Sequence, residues 1–355
     1  MSSIFFTGFP GFLGSELLPR VVLRTDHDAV CLVQPKFREM AEARARQLEA
    51  LHPALANRIQ LVEGDLTEAL DHVAAEDVRE IYHLAAVYDL AVPRELAMRV
   101  NVTGTRRVLD LAARAGRLER LHYVSTCYVS GRHSGTFTED ELEVGQSFNN
   151  FYEETKYLAE VEVRRRMNEI PATVYRPAVV VGDSLTGATQ KFDGPYFVMQ
   201  WLMRQPRLAL LPVVGRPSRY RFNVVPRDFI MQALTYLSGL ATNAGVTYAL
   251  ADPAPLTVDE TIDTIAAATG RTVVRVPMTK AIAKGALRYV PGLYRLMRIP
   301  PHAVDYFVHP TSYDTRNATR DLAPAGITAP HLRDYAPRLV EFARAHPEIG
   351  SAAMA

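Results

Sequence analysis

The chain has 355 residues, of which 48% are hydrophobic and 22% are charged. This is an ordinary globular composition, and the chain is long enough to bury a full core in one large domain or in two smaller ones. The formal net charge is only +1, which argues against nucleic acid as a partner recruited by an overall positive field.

The sequence carries no mark of a secreted or membrane-spanning protein. Its two cysteines, Cys31 and Cys127, are too few for a disulfide framework in a chain of this length. No uninterrupted apolar run is long enough to span a bilayer, and no basic-then-apolar leader precedes the first predicted strand. We therefore expect a cytoplasmic location and no transmembrane segment.

The first predicted element is a short apolar run at 4–6, which is followed by three glycines and then by an apolar helical pattern. This order predicts strand, tight turn and helix. Glycines let the backbone turn sharply and approach a ligand closely, while the helix start offers N–H groups and a positive dipole end to a pyrophosphate. We interpret the turn as dinucleotide-binding rather than purely structural, because strand and helix flank it as the fingerprint requires. Its residues are Gly8, Phe9, Pro10, Gly11, Phe12, Leu13 and Gly14.

Strands and helices alternate along the chain as far as Gly182. Helical patterns lie at 38–51 and 96–111, and apolar runs predict strands at 29–33, 59–62, 80–84, 121–124 and 172–175. This alternation predicts an α/β fold, a Rossmann-type doubly wound parallel sheet whose ligand crevice lies at the carboxyl ends of the strands. The pattern breaks down after Gly182. We therefore expect a dinucleotide-binding domain over 1–182, a smaller C-terminal substrate-binding cap over 183–345 with segments returning to the sheet, and a tail over 346–355.

The residues after the second predicted strand bear on the choice of cofactor. NAD-binding folds commonly place an acidic residue about 20 positions past the glycine turn, where it binds the ribose 2′-hydroxyl. This chain has Gln34 there, and Lys36 and Arg38 follow. Two cations without a carboxylate suit a 2′-phosphate, so the sequence favours NADP(H), with NAD(H) as the alternative. The same cations are otherwise a solvated helix start.

Two further strand ends carry polar residues. Asp65 follows the third predicted strand, where a carboxylate either accepts from an adenine amino group or caps a following helix. His83 ends the fourth strand, just before the small residues Ala85 and Ala86. It lacks the companions of a metal site, so we interpret it as a packed, hydrogen-bonded core histidine and predict no metal centre.

Tyr152 and Lys156 lie four residues apart and so share one face of a predicted helix. A free tyrosine has a pKa of about 10 and is a poor acid–base catalyst at neutral pH, but a nearby ammonium lowers that pKa. The same spacing is common on solvated helix faces. Ser125 and Thr126, at the end of the fifth predicted strand, favour the functional interpretation because a hydroxyl there could hold a substrate carbonyl beside the phenol.

Together these residues resemble an extended short-chain dehydrogenase/reductase. The matching motifs are Thr7-Gly8-x-x-Gly11-x-x-Gly14, Gly64-Asp65-Leu66, His83-Leu84-Ala85-Ala86, Asn101-Val102-x-Gly104-Thr105, Val124-Ser125-Thr126-x-Tyr128-Val129-x-Gly131, Tyr152-x-x-x-Lys156 and Arg176-Pro177. Within that superfamily, the stretches 125–131, 182–187 and 223–228 are most similar to the male-sterility-type branch, which contains fatty acyl-CoA reductases and thioester reductase domains. Sugar-nucleotide epimerases and hydroxysteroid dehydrogenases share much of the pattern.

The resemblance implies a role for individual residues. Tyr152 would give a proton to the substrate oxygen, and Lys156 would hold the nicotinamide ribose and lower the pKa of the tyrosine. Thr126 would supply the catalytic hydroxyl, with Ser125 as the second candidate. The cofactor site would include, besides the glycine turn and residues 34, 36 and 38, the residues Asp65, Leu66, Leu84, Ala85, Ala86, Asn101, Lys156, Pro177 and Val179. Among these, Asn101 is expected to act structurally.

The function that the resemblance implies is NADPH-dependent reduction of a small-molecule carbonyl substrate, with a fatty aldehyde or an acyl thioester preferred. A sugar-nucleotide epimerase or dehydratase and a hydroxysteroid dehydrogenase are the alternatives within the superfamily. A non-catalytic NADP-binding structural or regulatory protein is a third possibility, which the intact Tyr152 and Lys156 disfavour. The resemblance also implies a homodimer formed through paired helices, including the helix that bears Tyr152.

A basic segment at 279–298 lies outside these motifs. Between Thr279 and Arg298 there is no acid, and apolar residues alternate there with Lys280, Lys284, Arg288, Arg295 and Arg298. Such a segment is either a cap helix with a solvated basic face, the favoured interpretation, or a peripheral contact through 279–298 with a membrane, a CoA or a carrier-protein phosphate. A similar choice between an anionic substrate and solvent applies to Arg216, Arg219, Arg221 and Arg227.

Overall fold

The computed structural model describes residues 2–88, 91–289 and 300–350. The strands are β1 (Ser3–Thr7), β2 (Asp28–Val33), β3 (Ile59–Glu63), β4 (Val78–His83), β5 (Arg120–Val124), β6 (Gly135–Phe137), β7 (Ala172–Pro177), β8 (Val179–Val181), β9 (Leu208–Val214), β10 (Val224–Pro226), β11 (Thr247–Leu250), β12 (Thr272–Met278) and β13 (Thr311–Tyr313). The helices are α1 (Phe12–Val22), α2 (Arg38–Leu51), α3 (Arg94–Ala97), α4 (Gly104–Arg114), α5 (Phe151–Arg165), α6 (Tyr196–Met203), α7 (Arg227–Ser238), α8 (Val258–Thr269), α9 (Lys280–Tyr289), α10 (Arg316–Leu322) and α11 (Leu332–Ala345).

Seven parallel strands form the central sheet, in the order β11-β7-β5-β4-β1-β2-β3. Successive side chains of a strand point to opposite faces, so Phe5 and Phe6 enter two different cores. Phe6 packs in the core that includes residues of α1, α2 and α7, and Phe5 in the core that includes residues of α4 and α5. The predicted Rossmann-type α/β fold is confirmed, because helices cover both faces of one parallel sheet.

The local predictions hold within a few residues, with two differences. The short strands β6 and β8 have no counterpart among the strands predicted up to Gly182, and because of β6 the strand predicted at 172–175 is the seventh. The helix predicted at 96–111 spans 94–114, but α3 and α4 are joined by a π-helical turn at Met98–Thr103. That turn contains the buried Asn101, whose side chain bonds to groups outside the helix.

The residues after 182 build a third core and also return to the central sheet. Side chains of α6, β9, α8 and α11 pack together in that third core. In contrast, α7 packs on α1, and β11 extends the central sheet beside β7. Returning segments are therefore present, whereas the domain boundaries at 182 and 345 stay a prediction.

The basic segment at 279–298 is described only in part. Lys280 begins α9, and its Nζ lies 2.5 Å from Oδ1 of the buried Asp305. Residues 290–299, including Arg295 and Arg298, and the side chains of Lys284 and Arg288 lie outside the described residues, so the membrane or phosphate contact stays a prediction. In the part of the chain that the structure describes, no helix is both long and apolar enough to cross a membrane.

Candidate active site

The backbone of the turn between β1 and α1 is packed so tightly that its glycine positions leave no room for a side chain. Gly8 has a φ of 94°, and the Gly11 N–H donates to its carbonyl oxygen at 2.9 Å. A Cβ on Gly11 or Gly14 would lie 2.7 or 2.3 Å from that oxygen. Helix α1 then starts at Phe12 with Gly11 as its N-cap, so no side chain caps the N–H groups of its first turn. These groups suit an anion such as a pyrophosphate.

The two residues between the first glycines face the protein interior. Phe9 and Pro10 are buried, and the Phe9 ring packs in the core of the sheet. Of the predicted cofactor residues, these two can therefore contact a ligand mainly through their backbone. Phe12 and Leu13, one turn later, are only half-buried.

The loop after β4 lies against the glycine turn. A Cβ on Gly8 would lie 3.0 Å from both the Ala85 nitrogen and the Leu84 Cβ. Leu84, Ala85 and Ala86 are each half-buried at this place, as expected of small or apolar residues that line a cofactor crevice. The Leu84 N–H donates to the Thr7 carbonyl and the Ala85 N–H to the Thr7 hydroxyl, both at 3.2 Å.

His83 is the packed core histidine that its surroundings in the sequence predict. The Thr105 hydroxyl donates to the Asn101 carbonyl at 2.6 Å, so the His83 Nε2–H must donate to Thr105, at 3.0 Å. Nδ1 then accepts from the Thr7 hydroxyl at 2.8 Å. Burial, with a smaller contribution from the charge of Lys156, lowers the pKa of His83 to about 3, which keeps the ring neutral.

Asn101 connects the loop after β4 to helix α5. Its side-chain oxygen accepts from the Val87 N–H at 2.8 Å, and its amide nitrogen donates to the Thr155 hydroxyl at 3.0 Å. Thr155 stands directly before Lys156 on the same helix. These contacts agree with the structural role expected for Asn101.

The carboxyl ends of β2 and β3 come together at the place expected for the adenosine half of a dinucleotide. The Gln34 amide donates to Asp65 Oδ2 at 2.8 Å, while Asp65 Oδ1 accepts from the Thr67 N–H at 2.8 Å. Asp65 does not cap a helix, contrary to one of its two interpretations, because turns and bends follow it up to residue 74. Leu66, the next residue, is buried against the position of Gly104 at the start of α4.

Lys36 and Arg38 follow Gln34 after the end of β2, and the two side chains make different contacts. Lys36 is exposed, and its ammonium lies 4.9 Å from the centroid of the Phe37 ring. Arg38 begins α2 and pairs with Glu42 at 2.7 Å, while it also donates to the Leu61 carbonyl at 3.3 Å. Both side chains are therefore at the carboxyl edge of the sheet, and neither is buried.

Tyr152 and Thr126 meet at the carboxyl end of β5. The Thr126 hydroxyl is near enough to the Tyr152 phenol to lower its pKa, and it accepts from the Tyr128 N–H at 3.3 Å. Thr126 Oγ1 lies 3.5 Å from the Pro177 carbonyl, and Pro177 ends β7. Val179 begins β8 immediately afterwards and is half-buried.

Lys156 is buried one helical turn after Tyr152, and its ammonium contacts the last two residues of β5. Its Nζ donates to the Val124 carbonyl at 2.8 Å and lies 4.6 Å from the centroid of the Tyr123 ring. Burial lowers the pKa of Lys156 to about 7, against the attraction of the Glu160 carboxylate. Burial also raises the pKa of Tyr152 well above its ordinary value, and the Thr126 hydroxyl offsets this only in part. A lowering of the pKa of Tyr152 by Lys156 therefore stays a prediction, because burial dominates the pKa of both groups.

Ser125, the second hydroxyl candidate, faces a different group. Its Oγ donates to Glu160 Oε2 at 2.6 Å, and Glu160 lies four residues after Lys156 on α5. Glu160 is fully buried and pairs with Arg176 at 2.7 Å and with Arg164 at 3.1 Å. Burial alone would raise the pKa of Glu160, but the two guanidinium groups hold it below its usual value. Glu160 was not predicted from the sequence, although its position four residues after Lys156 places both side chains on one face of α5.

Aromatic side chains from distant segments surround Tyr152 and its neighbours. The Tyr88 ring meets the Tyr152 ring edge-on, with centroids 4.9 Å apart. Lys191 lies 4.4 Å from the Tyr88 centroid and pairs with Asp193 at 2.9 Å. The ring of Tyr128 meets the ring of Tyr306 edge-on, with centroids 4.8 Å apart. No local pattern indicated these partners, because loops far apart in the chain bring them together.

A metal centre has no support in this part of the molecule or elsewhere in the described ranges. Nowhere in residues 2–88, 91–289 and 300–350 do three or more His, Cys, Asp or Glu side chains form a group that could hold a metal ion. Both cysteines in these ranges are buried free thiols.

Known proteins match both the sequence and the fold. The model of the male sterility protein family, an NAD-binding domain, matches residues 6–234, which include the glycine turn, Tyr152 and Lys156. This chain belongs to the male sterility protein family. Its fold is that of the extended short-chain dehydrogenases/reductases, which are NAD(P)-dependent oxidoreductases.

Two relatives show which proteins are similar to this chain over most of its length. One of the linear gramicidin synthase proteins of Brevibacillus parabrevis is 30% identical over 278 residues, which are 73% of this chain and 5% of that protein. Fatty acyl-CoA reductase wat of Drosophila melanogaster is 23% identical over 279 residues, 65% of this chain and 53% of that protein. The chain thus spans only a part of each of these relatives.

A solved structure covers nearly the whole chain. The terminal R domain from the myxalamid PKS-NRPS biosynthetic pathway superimposes with a TM-score of 0.82 at 27% identity, covering 98% of this chain and 91% of that one. This male sterility family member therefore shares its fold with that R domain over 98% of its length, beyond residue 234, where the family match ends.

Proposed function

We propose that this male sterility family member is an NADPH-dependent reductase of acyl thioesters or fatty aldehydes, with Tyr152, Thr126 and Lys156 as its catalytic residues. The observation that carries the proposal is the placement of three side chains at the edge of the sheet that holds the glycine turn: the Thr126 hydroxyl acts on the Tyr152 phenol, and the buried Lys156 lies one turn away with its Nζ on the Val124 carbonyl. The similarity to a terminal R domain and to a fatty acyl-CoA reductase supports the substrate class.

The residues at the sheet edge fit a dinucleotide. The backbone of the turn from Gly8 to Gly14 would hold the pyrophosphate, since a side chain at Gly11 or Gly14 would collide with the Gly8 carbonyl. Asp65 and Gln34 would hold the adenosine half, and Ala85, Pro177 and Val179 would flank the nicotinamide. When it is bound, the nicotinamide supplies a hydride to the substrate carbonyl carbon.

Tyr152 serves as the proton donor in this direction of the reaction. The phenol is protonated at neutral pH and so carries the proton to be donated, although a pKa above the ordinary value makes it a weaker acid than a free tyrosine. The proton would go to the carbonyl oxygen, and Thr126 would hold that oxygen in place. Lys156 has two N–H donors beyond the one directed at Val124, and these would serve the nicotinamide ribose.

For an acyl thioester, hydride on the carbonyl carbon and a proton on the oxygen give a hemithioacetal. Its collapse breaks the C–S bond and releases an aldehyde and a thiol, the oxygen losing the proton that the sulfur gains. For an aldehyde, the same two transfers give the alcohol directly. The tyrosines around the site, Tyr88, Tyr128 and Tyr306, offer largely apolar ring surfaces to an acyl chain.

The test of this proposal is an assay of NADPH and NADH oxidation by the purified protein. The panel of substrates contains a long-chain acyl-CoA, a fatty aldehyde, a ketosteroid and a UDP-sugar. We expect turnover of NADPH with the acyl-CoA or the aldehyde. Turnover of the ketosteroid or the UDP-sugar alone would contradict the proposed substrate class, and NADPH binding without any turnover would favour a non-catalytic role.

Replacement of Thr126 should mainly affect catalysis, whereas replacement of Ser125 should mainly affect stability. Thr126→Val removes the hydroxyl that contacts Tyr152 and should lower kcat by about 10²-fold, a typical effect for a lost transition-state donor. Ser125→Ala removes a donor to the buried Glu160 and should lower the unfolding free energy by about 1–3 kcal/mol, with a smaller loss of kcat. Steady-state kinetics and urea unfolding of both variants check this. A larger loss of kcat in Ser125→Ala would reverse the assignment of the catalytic hydroxyl.

The choice between NADPH and NADH tests Lys36 and Arg38. If both contact the 2′-phosphate, Lys36→Ala/Arg38→Ala should weaken NADPH binding by at least about tenfold and leave NADH binding within about twofold, since each charge-assisted hydrogen bond contributes about 1.5–3 kcal/mol. The dissociation constants come from cofactor fluorescence. Arg46→Ala is the matched control, because Arg46 is exposed on the same helix. Equal weakening of both cofactors would contradict the NADP(H) preference.

A further inference from the structure

We propose that Arg227, the first residue of α7, binds the cofactor pyrophosphate beside the glycine turn. The inference rests on the proposed function, since it assumes that a dinucleotide occupies the turn. It adds a contact made by a side chain that lies more than 200 positions beyond the glycine turn, in a stretch where the residues alone left the role of the arginines open.

The position of Arg227 brings a cation to the start of α1. Arg227 is the first residue of α7, which packs on α1, and Phe12 is the first residue of α1. The guanidinium carbon lies 5.3 Å from the centroid of the Phe12 ring. This contact holds the guanidinium at the side chain of Phe12, whose N–H is one of the groups that would receive the pyrophosphate.

The ion pairs of Arg227 leave it able to bind another anion. Its Nη1 lies 3.7 Å from Glu16 Oε1, and its Nη2 lies 3.7 Å from Asp183 Oδ2. Both distances exceed the about 2.7–2.9 Å of a charge-assisted hydrogen bond. The guanidinium is thus held by charge and stacking, and its fork of N–H groups can serve the paired oxygens of a pyrophosphate.

Arg227 also offsets the negative charge of Glu16. This half-buried carboxylate stands in the second turn of α1, close to the place proposed for the pyrophosphate, and it would repel a bound dianion. Arg227 is the cation that pairs with Glu16, so it offsets this repulsion as well as attracting the ligand. Its side chain is only 14% exposed, which limits the screening of both effects by water.

The other arginines of the same stretch are placed differently. Between Asp193 and Asp228 the chain has no acid, and besides Arg227 it carries Arg204, Arg207 and three arginines nearer in sequence to Arg227, namely Arg216, Arg219 and Arg221. Those three are exposed, and Arg221 donates to the Pro255 carbonyl. Arg219 therefore provides a matched control, an arginine of the same basic stretch whose side chain is exposed to solvent.

The experiment measures the dissociation constants of NADPH and NADH by isothermal titration calorimetry. Both cofactors contain the pyrophosphate, so Arg227→Ala should weaken both by about tenfold or more and leave the ratio of their constants unchanged. Arg219→Ala should leave both within about twofold. Glu16→Gln, which removes the opposing carboxylate, should bind both cofactors about two- to threefold more tightly, and it should recover part of the loss when combined with Arg227→Ala.

The outcomes separate this inference from the proposed function. If the wild-type protein binds the cofactors and Arg227→Ala binds them equally well, the inference is overturned and the reductase proposal stands. If the wild-type protein binds neither dinucleotide, the proposed function fails first. Should Arg227→Ala not fold, Glu16→Gln and Arg227→Lys carry the test: unchanged affinity in Glu16→Gln together with full affinity in Arg227→Lys would overturn the pyrophosphate contact.

Discussion

Tyr152→Phe is expected to lower kcat by about 10²–10⁴-fold while it leaves the dissociation constant of NADPH within about twofold. The lost hydroxyl is the proposed proton donor and the partner of Thr126, and general acid catalysis contributes about that much to a rate. The ring itself remains, together with its contact with Tyr88 and its packing near Val92 and Ala97. The variant should therefore fold normally and bind cofactor without turning over substrate.

Kinetics with the best substrate of the panel and calorimetric binding of NADPH measure the two halves of this expectation. Tyr157→Phe is the control, because Tyr157 is a half-buried tyrosine of the same helix that packs near Val161 and away from Thr126. Retained activity in Tyr152→Phe would contradict the assignment of Tyr152. A parallel loss of cofactor affinity would indicate that the phenol organises the cofactor site and does not act as the acid.

Arg176→Met is expected to lower the free energy of unfolding by about 3–5 kcal/mol, the usual cost of removing one partner of a buried ion pair. Arg176 is 1% exposed, and its Nη2 and Nε lie 2.7 and 3.1 Å from Glu160 Oε1. The same guanidinium donates to the Glu141 carbonyl at 2.7 Å. Without it, the buried Glu160 keeps only the weaker support of Arg164 and Ser125.

Urea unfolding of Arg176→Met and of the double variant Glu160→Gln/Arg176→Met separates charge from packing. The double variant should be more stable than the single one, since it removes the uncompensated carboxylate. Arg165→Met is the control: its ion pairs at 3.7 and 4.0 Å are exposed, so it should cost about 1 kcal/mol or less. A single variant no less stable than Arg165→Met would contradict a structural role for the buried pair.

The same network lies behind the proposed catalytic hydroxyl. Glu160 binds Ser125, whose neighbour Thr126 contacts Tyr152, and Lys156 stands one turn before Glu160. The sequence marked Ser125 as a second candidate for catalysis because two hydroxyls stand side by side at the strand end. Only the contact with Glu160 distinguishes them, since alternate residues of an extended backbone point in opposite directions.

Local patterns predicted those parts of the fold that depend on neighbours in the chain. The glycine turn, the strands of the sheet and helix α2 follow from apolar periodicity and from the steric freedom of glycine. The interpretation of His83 as a core residue is also confirmed, because a single histidine on a buried strand has few other uses. The short strand β6 escaped prediction, since its partner β13 lies far along the chain.

The sequence by itself determined the fold class, the place of the cofactor turn and the helix that carries Tyr152 and Lys156, because each depends on residues a few positions apart. The tertiary structure alone decided the electrostatics: burial raises the pKa of Tyr152 and lowers that of Lys156. It alone also brought Arg227 over Phe12 and Tyr88 against Tyr152. Desolvation and such contacts depend on which segments surround a group in space, and no local pattern carries that information.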